Sequence, residues 1–498
     1  MRTPLHRPVC DLLGCRYPVV LAGMGGVARS ALVRAVTDAG GFGFLGMVRE
    51  PPELIESEVR QVRAHTGQPF GVNIIPAATE PGLLQRQIDA CLTLRVPVVC
   101  LFWDIAEPVI RRFRDHGVVV VCQVGSAAEA AAAERAGAEA LIAQGVEAGG
   151  HVRGDQPLER LVPAIAEITD LPVLAAGGLA DGADLVGVLS LGAQGGVFGT
   201  AMIATTESFA HDYHKARIVE ARDGDTLLSE IFHVNWPAGA KVRTLHNSVT
   251  DGAHGDPHGG ERVVIGHEGD RPIYLFSTDS PLRSMTGDFE AMALYAGTSC
   301  GRIDRIAGAR EKVEAIVAQA HDLIGLPAPA ARPAARYASP ACSAHEMEDS
   351  YMGYATTDEL LNILNELLEA ERAGARLTRR TADQVSRPDT RELILAIHRD
   401  EARWCAVLAG AIIDLGGTPS KRTGDFLEKA MAIEDTDERL VFLNKGQAWV
   451  SRKLQTLLPT IRDAALHTQL HDMLTSHDSN IEKVAVFRGG APVPAHGS

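Results

Sequence analysis

From residue 18 to about residue 200 the chain alternates short apolar runs with longer amphipathic segments. The runs occupy 18–22, 42–47, 70–75, 97–103, 118–124, 140–144, 172–176 and 195–200. Each is rich in Val, Ile, Leu or Phe with little polar alternation, as expected of strands covered on both faces. Helical patterns lie between them, as at 52–64, 127–136 and 158–168, and Ser126 and Asp181 stand where N-caps belong. Eight strands with seven intervening helices predict an α/β fold closed as a (β/α)8 TIM barrel, with a doubly wound open sheet as the alternative.

Beyond residue 207 the rhythm changes. An insertion is expected near 207–285, and 284–296 and 304–323 are helical in period and suited to closing the barrel. The stretch 250–270, rich in Gly, His and Asp, reads as an exposed loop. The irregular spacing of His254, His258 and His267 suits solvated histidines better than metal ligands. Proline and alanine dominate 326–343, a linker composition. Four long amphipathic segments follow, at 357–380, 389–415, 436–458 and 463–487, with Pro388 opening the second and Gly416-Gly417 closing it. The expected organisation is a barrel domain over 1–325, a linker over 326–350 and an all-α four-helix bundle, ferritin-like, over 351–490.

Composition narrows the function classes. The 498 residues carry a net charge of −15 and no Lys/Arg run, which excludes a nucleic-acid footprint. A mean hydropathy of +0.01 and the absence of a 20-residue apolar run give no membrane span. The eight cysteines are scattered without a C-x-x-C pair, and Cys100 and Cys122 lie in apolar runs, as buried thiols of a reducing compartment do. With no apolar segment near Met1, the expected location is the cytoplasm.

Candidate chemistry collects at the carboxyl ends of the runs, where barrel sites are built. Gln144-Gly145-Val146-Glu147-Ala148-Gly149-Gly150-His151 follows the sixth run and places an imidazole on a glycine-walled loop. Glycine lets backbone approach a flat ligand, and an imidazole titrating near 6.5 suits proton abstraction near neutrality. The first run ends in Ala22-Gly23-Met24-Gly25-Gly26, a platform for a ring system. Asn73, Gln123 and Gln144 end the third, fifth and sixth, amides suited to the edge of an isoalloxazine. The last two runs end in Ala175-Ala176-Gly177-Gly178 and Gly199-Thr200, turns of the kind that bind phosphate through backbone N–H groups. Together these describe an FMN site with a proton-transfer residue beside it. No G-x-G-x-x-G fingerprint follows a strand.

The stretches Pro18 to Met24, Phe70-Gly71-Val72-Asn73, Gln144 to His151, Leu174 to Gly178, Gly199-Thr200 and Tyr295 to Gly301 resemble the nitronate monooxygenases over roughly residues 5–325. The resemblance implies FMN without a covalent link and oxidation of alkyl nitronates or nitroalkanes by O2 to a carbonyl compound and nitrite. It also implies that His151 is the base for neutral nitroalkanes. Ala22-Gly23-Met24 departs from the family's usual alanine-proline-methionine and is closer to FMN-dependent enoyl reductases, so an NAD(P)H reductase of enoyl thioesters or quinones is the alternative. A flavin-based sensor is a third reading, against which His151 counts.

In the tail, Glu366 to Ala375 and His398 to Trp404 resemble a ferritin-like bundle, but Glu401 is followed three residues later by Trp404 rather than histidine. His467, His471, His477 and Glu482 supply no Glu-x-x-His pair. The favoured reading is a metal-free bundle with Trp404 in its core, serving homo-oligomerisation, partner binding or cover for the site.

Overall fold

The computed structural model describes residues 5–260, 262–324 and 354–487; the linker expected over 326–350 lies outside them. The chain divides into two compact units, the first running to Ala320 without Leu189–Leu191 and the second comprising those three residues and the chain from His321 on.

In the first unit, α1 (Pro8–Leu13) precedes β1 (Val19–Leu21), α2 (Ser30–Asp38), β2 (Phe42–Gly46), α3 (Pro52–His65) and β3 (Gly71–Ile74). Then come α4 (Pro81–Thr93), β4 (Val98–Leu101), α5 (Glu107–Arg114), β5 (Val119–Val124), α6 (Ala127–Ala136) and β6 (Ala140–Gln144). A short β7 (Gly150–Val152) interrupts the alternation before α7 (Leu158–Ala166), β8 (Val173–Ala176), α8 (Gly182–Ser190) and β9 (Gly195–Phe198). β1 to β6, β8 and β9 form a closed barrel of parallel strands, with β9 returning to β1 through Val20↔Val197. The open-sheet alternative is therefore set aside. Phe42, Phe44, Val98, Val121, Ile142 and Leu174 fill its interior, and α1 packs Val9, Cys10 and Leu13 against them. Ser126 caps α6 by accepting from Glu129 N at 3.2 Å, and Asp181 Oδ1 accepts from Ala183 N and Asp184 N at 3.0 Å, as their positions predicted.

The segment after β9 begins with α9 (Thr200–Ile203) and α10 (Asp212–Glu220) and continues as small antiparallel sheets. One sheet orders β10 (Thr226–Ser229), β11 (Lys241–Leu245) and β7; the other orders β13 (Arg271–Tyr274), β12 (Val264–Glu268) and β14 (Met285–Gly287). Two expectations fail here. The stretch 250–270 is not all loop, because its end forms β12 with Ile273 buried beneath the sheet. The stretch 284–296 is not a helix but β14, a single 3-10 turn and extended chain, since cross-strand pairing of Met285 with Glu268 overrides its helical period. α11 (Ala309–Ile324) supplies the helix expected over 304–323.

The second unit holds α12 (Thr357–Gln384), α13 (Pro388–Asp414), α14 (Phe426–Met431), α15 (Thr436–Leu457) and α16 (Ala464–Phe487). The four long helices match the amphipathic pattern; α14, a short helix, gave no signal of its own. Thr356 closes a capping box with Glu359 at the start of α12, and Gly416 takes φ +80° after α13. Trp404 is buried in the core, as expected of packing. The core also contains Glu371, Glu401, Gln447 and His477, one side chain from each long helix, all at most 3% exposed. His477 Nε2 lies 3.0 Å from Glu371 Oε1, and Gln447 Nε2 donates to Glu401 Oε1 at 3.0 Å. Burial raises both carboxyl groups, Glu371 to about 8 and Glu401 well above the ordinary value, each also feeling the acidic groups beside it. Among the described residues no group of three or more His, Cys, Asp or Glu is placed to hold a metal ion, and no helix is long and apolar enough to cross a membrane.

Candidate active site

A cavity of about 550 Å3 opens at the carboxyl end of the barrel strands. Every residue selected from the sequence lines it: Ala22, Gly23, Met24, Asn73, Gln123, Gln144, Gly149, Gly150, His151, Ala176, Gly177, Gly178, Gly199 and Thr200. Residues distant in sequence meet because each follows its own strand and the barrel closes in a ring.

Three local arrangements shape the wall. Residue 23 must be glycine because a Cβ there would stand 2.3 Å from Asn73 Cβ, and Asn73 is itself fixed by donating Nδ2–H to Cys100 O at 3.2 Å. Gly149 lies flat against the 295–301 segment, where a Cβ would come within 2.5 Å of Ala296 C and Gly297 N. Thr298 N donates to Glu147 O and Gly297 N donates to Thr200 Oγ1, so this later motif clasps the loop after β6. Gly177 and Gly178 turn with φ +129° and +68°, which a side chain would resist.

His151 sits differently from the loop position read in the sequence. It lies in β7, where it pairs with Val242 of β11, so the segment after β9 holds it from outside the barrel. Gln144 locks the same backbone: its Nε2 donates to His151 O at 2.7 Å and its Oε1 accepts from Arg153 N at 3.0 Å. Much of the Gln144 amide is thus committed to placing His151. The His151 ring stacks on Trp236, centroids 3.4 Å apart and 20° from parallel, with the edge of Trp103 against both. Its Nε2 is sealed from solvent and has no protein partner. Burial holds the imidazole well below its ordinary 6.5, and the Arg49 guanidinium lowers it further. A neutral imidazole keeps a lone pair on one ring nitrogen, the form able to accept a proton.

Trp236, Arg49, Thr278 and Asp279 line the cavity and were not singled out from the sequence, whereas Tyr295, which also lines it, opens the 295–301 motif. Thr278 Oγ1, Asp279 Oδ2 and Trp236 Nε1 are buried without hydrogen-bond partners. No motif marked them, because all but Arg49 come from the irregular segment after β9. Arg49 shows its constraint only as backbone, with φ +58°.

The family model described as nitronate monooxygenase matches residues 6–83 and 76–319. The chain belongs to the nitronate monooxygenase family. Within it, a probable nitronate monooxygenase of Staphylococcus aureus (strain MSSA476) is 28% identical over 337 residues, 58% of this chain and 90% of that protein. Among solved structures, FabK from Thermotoga maritima aligns with TM-score 0.55 and 28% identity, covering 64% of this chain and 97% of that one. A nitroalkane oxidase from Streptomyces ansochromogenes aligns with TM-score 0.52 and 30% identity, covering 63% and 98%. This nitronate monooxygenase family member is a flavin-dependent oxidoreductase. Its tail is a separate domain: residues 358–486 match a domain of unknown function (DUF6306).

Proposed function

We propose that the protein oxidises alkyl nitronates, and nitroalkanes after deprotonation, with O2 to a carbonyl compound and nitrite, using FMN. The observation that carries this reading is His151, neutral, with an unpartnered Nε2 on a cavity whose facing walls are glycine backbone. The cavity is in the range of about 300–1,000 Å3 that cofactor and ligand sites occupy. Gly23, Gly149 and Gly177 line the cavity with backbone, against which a flat ring can lie, so the residues present suit the group.

Ala22, Gly23, Met24, Asn73, Gln123 and Gln144 would hold the ring, with Gly149 and Gly150 beside it. Ala176, Gly177, Gly178, Gly199 and Thr200 would receive the phosphate through backbone N–H groups and a hydroxyl. FMN held there would supply the redox chemistry between the nitronate and O2. With a neutral nitroalkane, His151 Nε2 takes the α-proton, and the low polarity around the ring keeps that nitrogen free of a competing proton from solvent. The indole of Trp236, backed edge-on by Trp103, would give the cavity an apolar wall beside His151.

Mixing the holoprotein anaerobically with propionate 3-nitronate, and separately with NADH and NADPH, tests the reading by flavin absorbance. A change in flavin absorbance with the nitronate alone is expected, followed by nitrite release when O2 is admitted. Bleaching with a nicotinamide alone would move the protein to the reductase alternative.

A further inference from the structure

His151 and Trp236 meet only in the folded chain. Their rings are stacked with centroids 3.4 Å apart, and each contributes a nitrogen with no hydrogen-bond partner in the protein, Nε2 and Nε1 respectively. The two nitrogens have complementary capacities: a neutral imidazole leaves one nitrogen able to accept, whereas an indole N–H can only donate. A buried donor without a partner is unfavourable in a folded protein unless a ligand supplies the acceptor.

The placement is enforced. Arg49 Nη1 donates to Asn235 O at 3.0 Å, fixing the residue before Trp236. Among the described residues five non-glycine positions take positive φ, and three of them, Arg49 (+58°), Trp103 (+85°) and Asn235 (+74°), surround this ring pair. Such backbone persists where surrounding structure over-determines it, and it gathers at functional sites. Trp103 closes the pair edge-on, 5.6 Å from Trp236 and 6.1 Å from His151.

We propose that Trp236 is a catalytic residue whose indole N–H donates a hydrogen bond to the substrate oxygen on which negative charge develops. The inference rests on the nitronate reading above. When His151 Nε2 removes the α-proton, the C–H electron pair becomes the C=N bond and the N=O pair moves onto oxygen. The carbon and that oxygen are two bonds apart, about 2–2.5 Å from ordinary bond lengths, so the base and the donor serve neighbouring atoms of one substrate. The indole keeps its proton throughout; it lowers the energy of the oxyanion by donating to it.

The test compares holoprotein carrying Trp236→Phe, which keeps an aromatic ring but loses the N–H, with Trp236→Leu and the unaltered protein. One measurement is kcat/KM for nitroethane and for ethyl nitronate across pH. The other is the Kd of nitrite, used as an inert oxyanion and read from perturbation of the flavin spectrum. A normal flavin spectrum in each variant establishes that the site has formed. Loss of a donor to a developing oxyanion predicts that Trp236→Phe loses about 10- to 100-fold in kcat/KM for nitroethane. It also predicts weaker nitrite binding and an acid limb from His151 that does not move. Trp236→Phe matching the unaltered protein in both measurements, with only Trp236→Leu impaired, would reduce Trp236 to packing and overturn the proposal. A shifted acid limb with unchanged nitrite affinity would also overturn it, since Trp236 would then act through His151. If the unaltered protein turned over neither nitro substrate, the nitronate reading would fail by itself, and the nitrite arm would still decide whether Trp236 is a donor.

Discussion

The barrel site and the bundle core both bury polar side chains drawn from several elements, yet they do so to opposite effect. Around the barrel cavity, His151 Nε2, Trp236 Nε1, Thr278 Oγ1 and Asp279 Oδ2 lack partners, and their residues line a space of about 550 Å3 that a ligand can occupy. In the bundle, Glu371, Glu401, Gln447 and His477 press on one another, and Gly374 leaves only the width of a hydrogen beside Glu401. Unpartnered polar atoms beside open space prepare binding and chemistry. The same atoms in a packed core couple stability to pH.

The sharpest way to break this comparison is His151→Ala. It should lower nitroalkane turnover by about two to four orders of magnitude, the span of general-base contributions, and lower turnover of preformed nitronate less. Nitrite release from nitroethane and ethyl nitronate measures both; equal losses would make His151 a positioning group. Next comes Gly149→Ala, whose Cβ would meet the backbone of Ala296 and Gly297 at 2.5 Å, where nothing flexible can yield. Overpacking of this kind costs about 1–3 kcal/mol, and a lower flavin content with a lower melting temperature is expected. Full flavin loading at unaltered stability would show the wall to be softer than its geometry.

On the bundle side, Gly374→Ala would place a Cβ 2.3 Å from Glu401 Oε2 and should cost a similar ~1–3 kcal/mol, read from helical circular dichroism on unfolding. A subtler change concerns pH. Because Glu371 and Glu401 titrate higher folded than unfolded, the folded bundle binds more protons. Its stability should therefore fall as pH rises from the ordinary 4.5 toward about 8. Glu401→Gln should flatten that slope and raise the melting temperature at pH 8; an unchanged slope would remove Glu401 from the account. The smallest effect expected is from Arg49→Gln. Removing a positive neighbour should move the His151 acid limb upward in the pH profile of nitroethane turnover, and a limb that stayed or fell would deny the coupling.

Local pattern carried much of the architecture. The eight barrel strands and four long helices were legible because a buried parallel strand and an amphipathic helix each repeat a period that packing then confirms. The site was legible where glycines and amides follow a strand, as at Gly177-Gly178 and Gln144. It was illegible after β9, where 284–296 has a helical period but pairs as β14 and extended chain. The inward convergence of Glu371, Glu401 and His477 was equally hidden, since residues that meet across three helices need no Glu-x-x-His spacing along any one of them.

The sequence by itself determined that a barrel would form, that a helical domain would follow it, and that a histidine would stand on a glycine wall. Those features depend on neighbours a few residues apart. Only the tertiary structure decided that Trp236 would cover His151, that β11 would hold β7, and that Gln144 would be tied to the backbone of His151. Each depends on contacts between distant segments, whose closure is set by the packing of the whole unit and leaves no period along the chain.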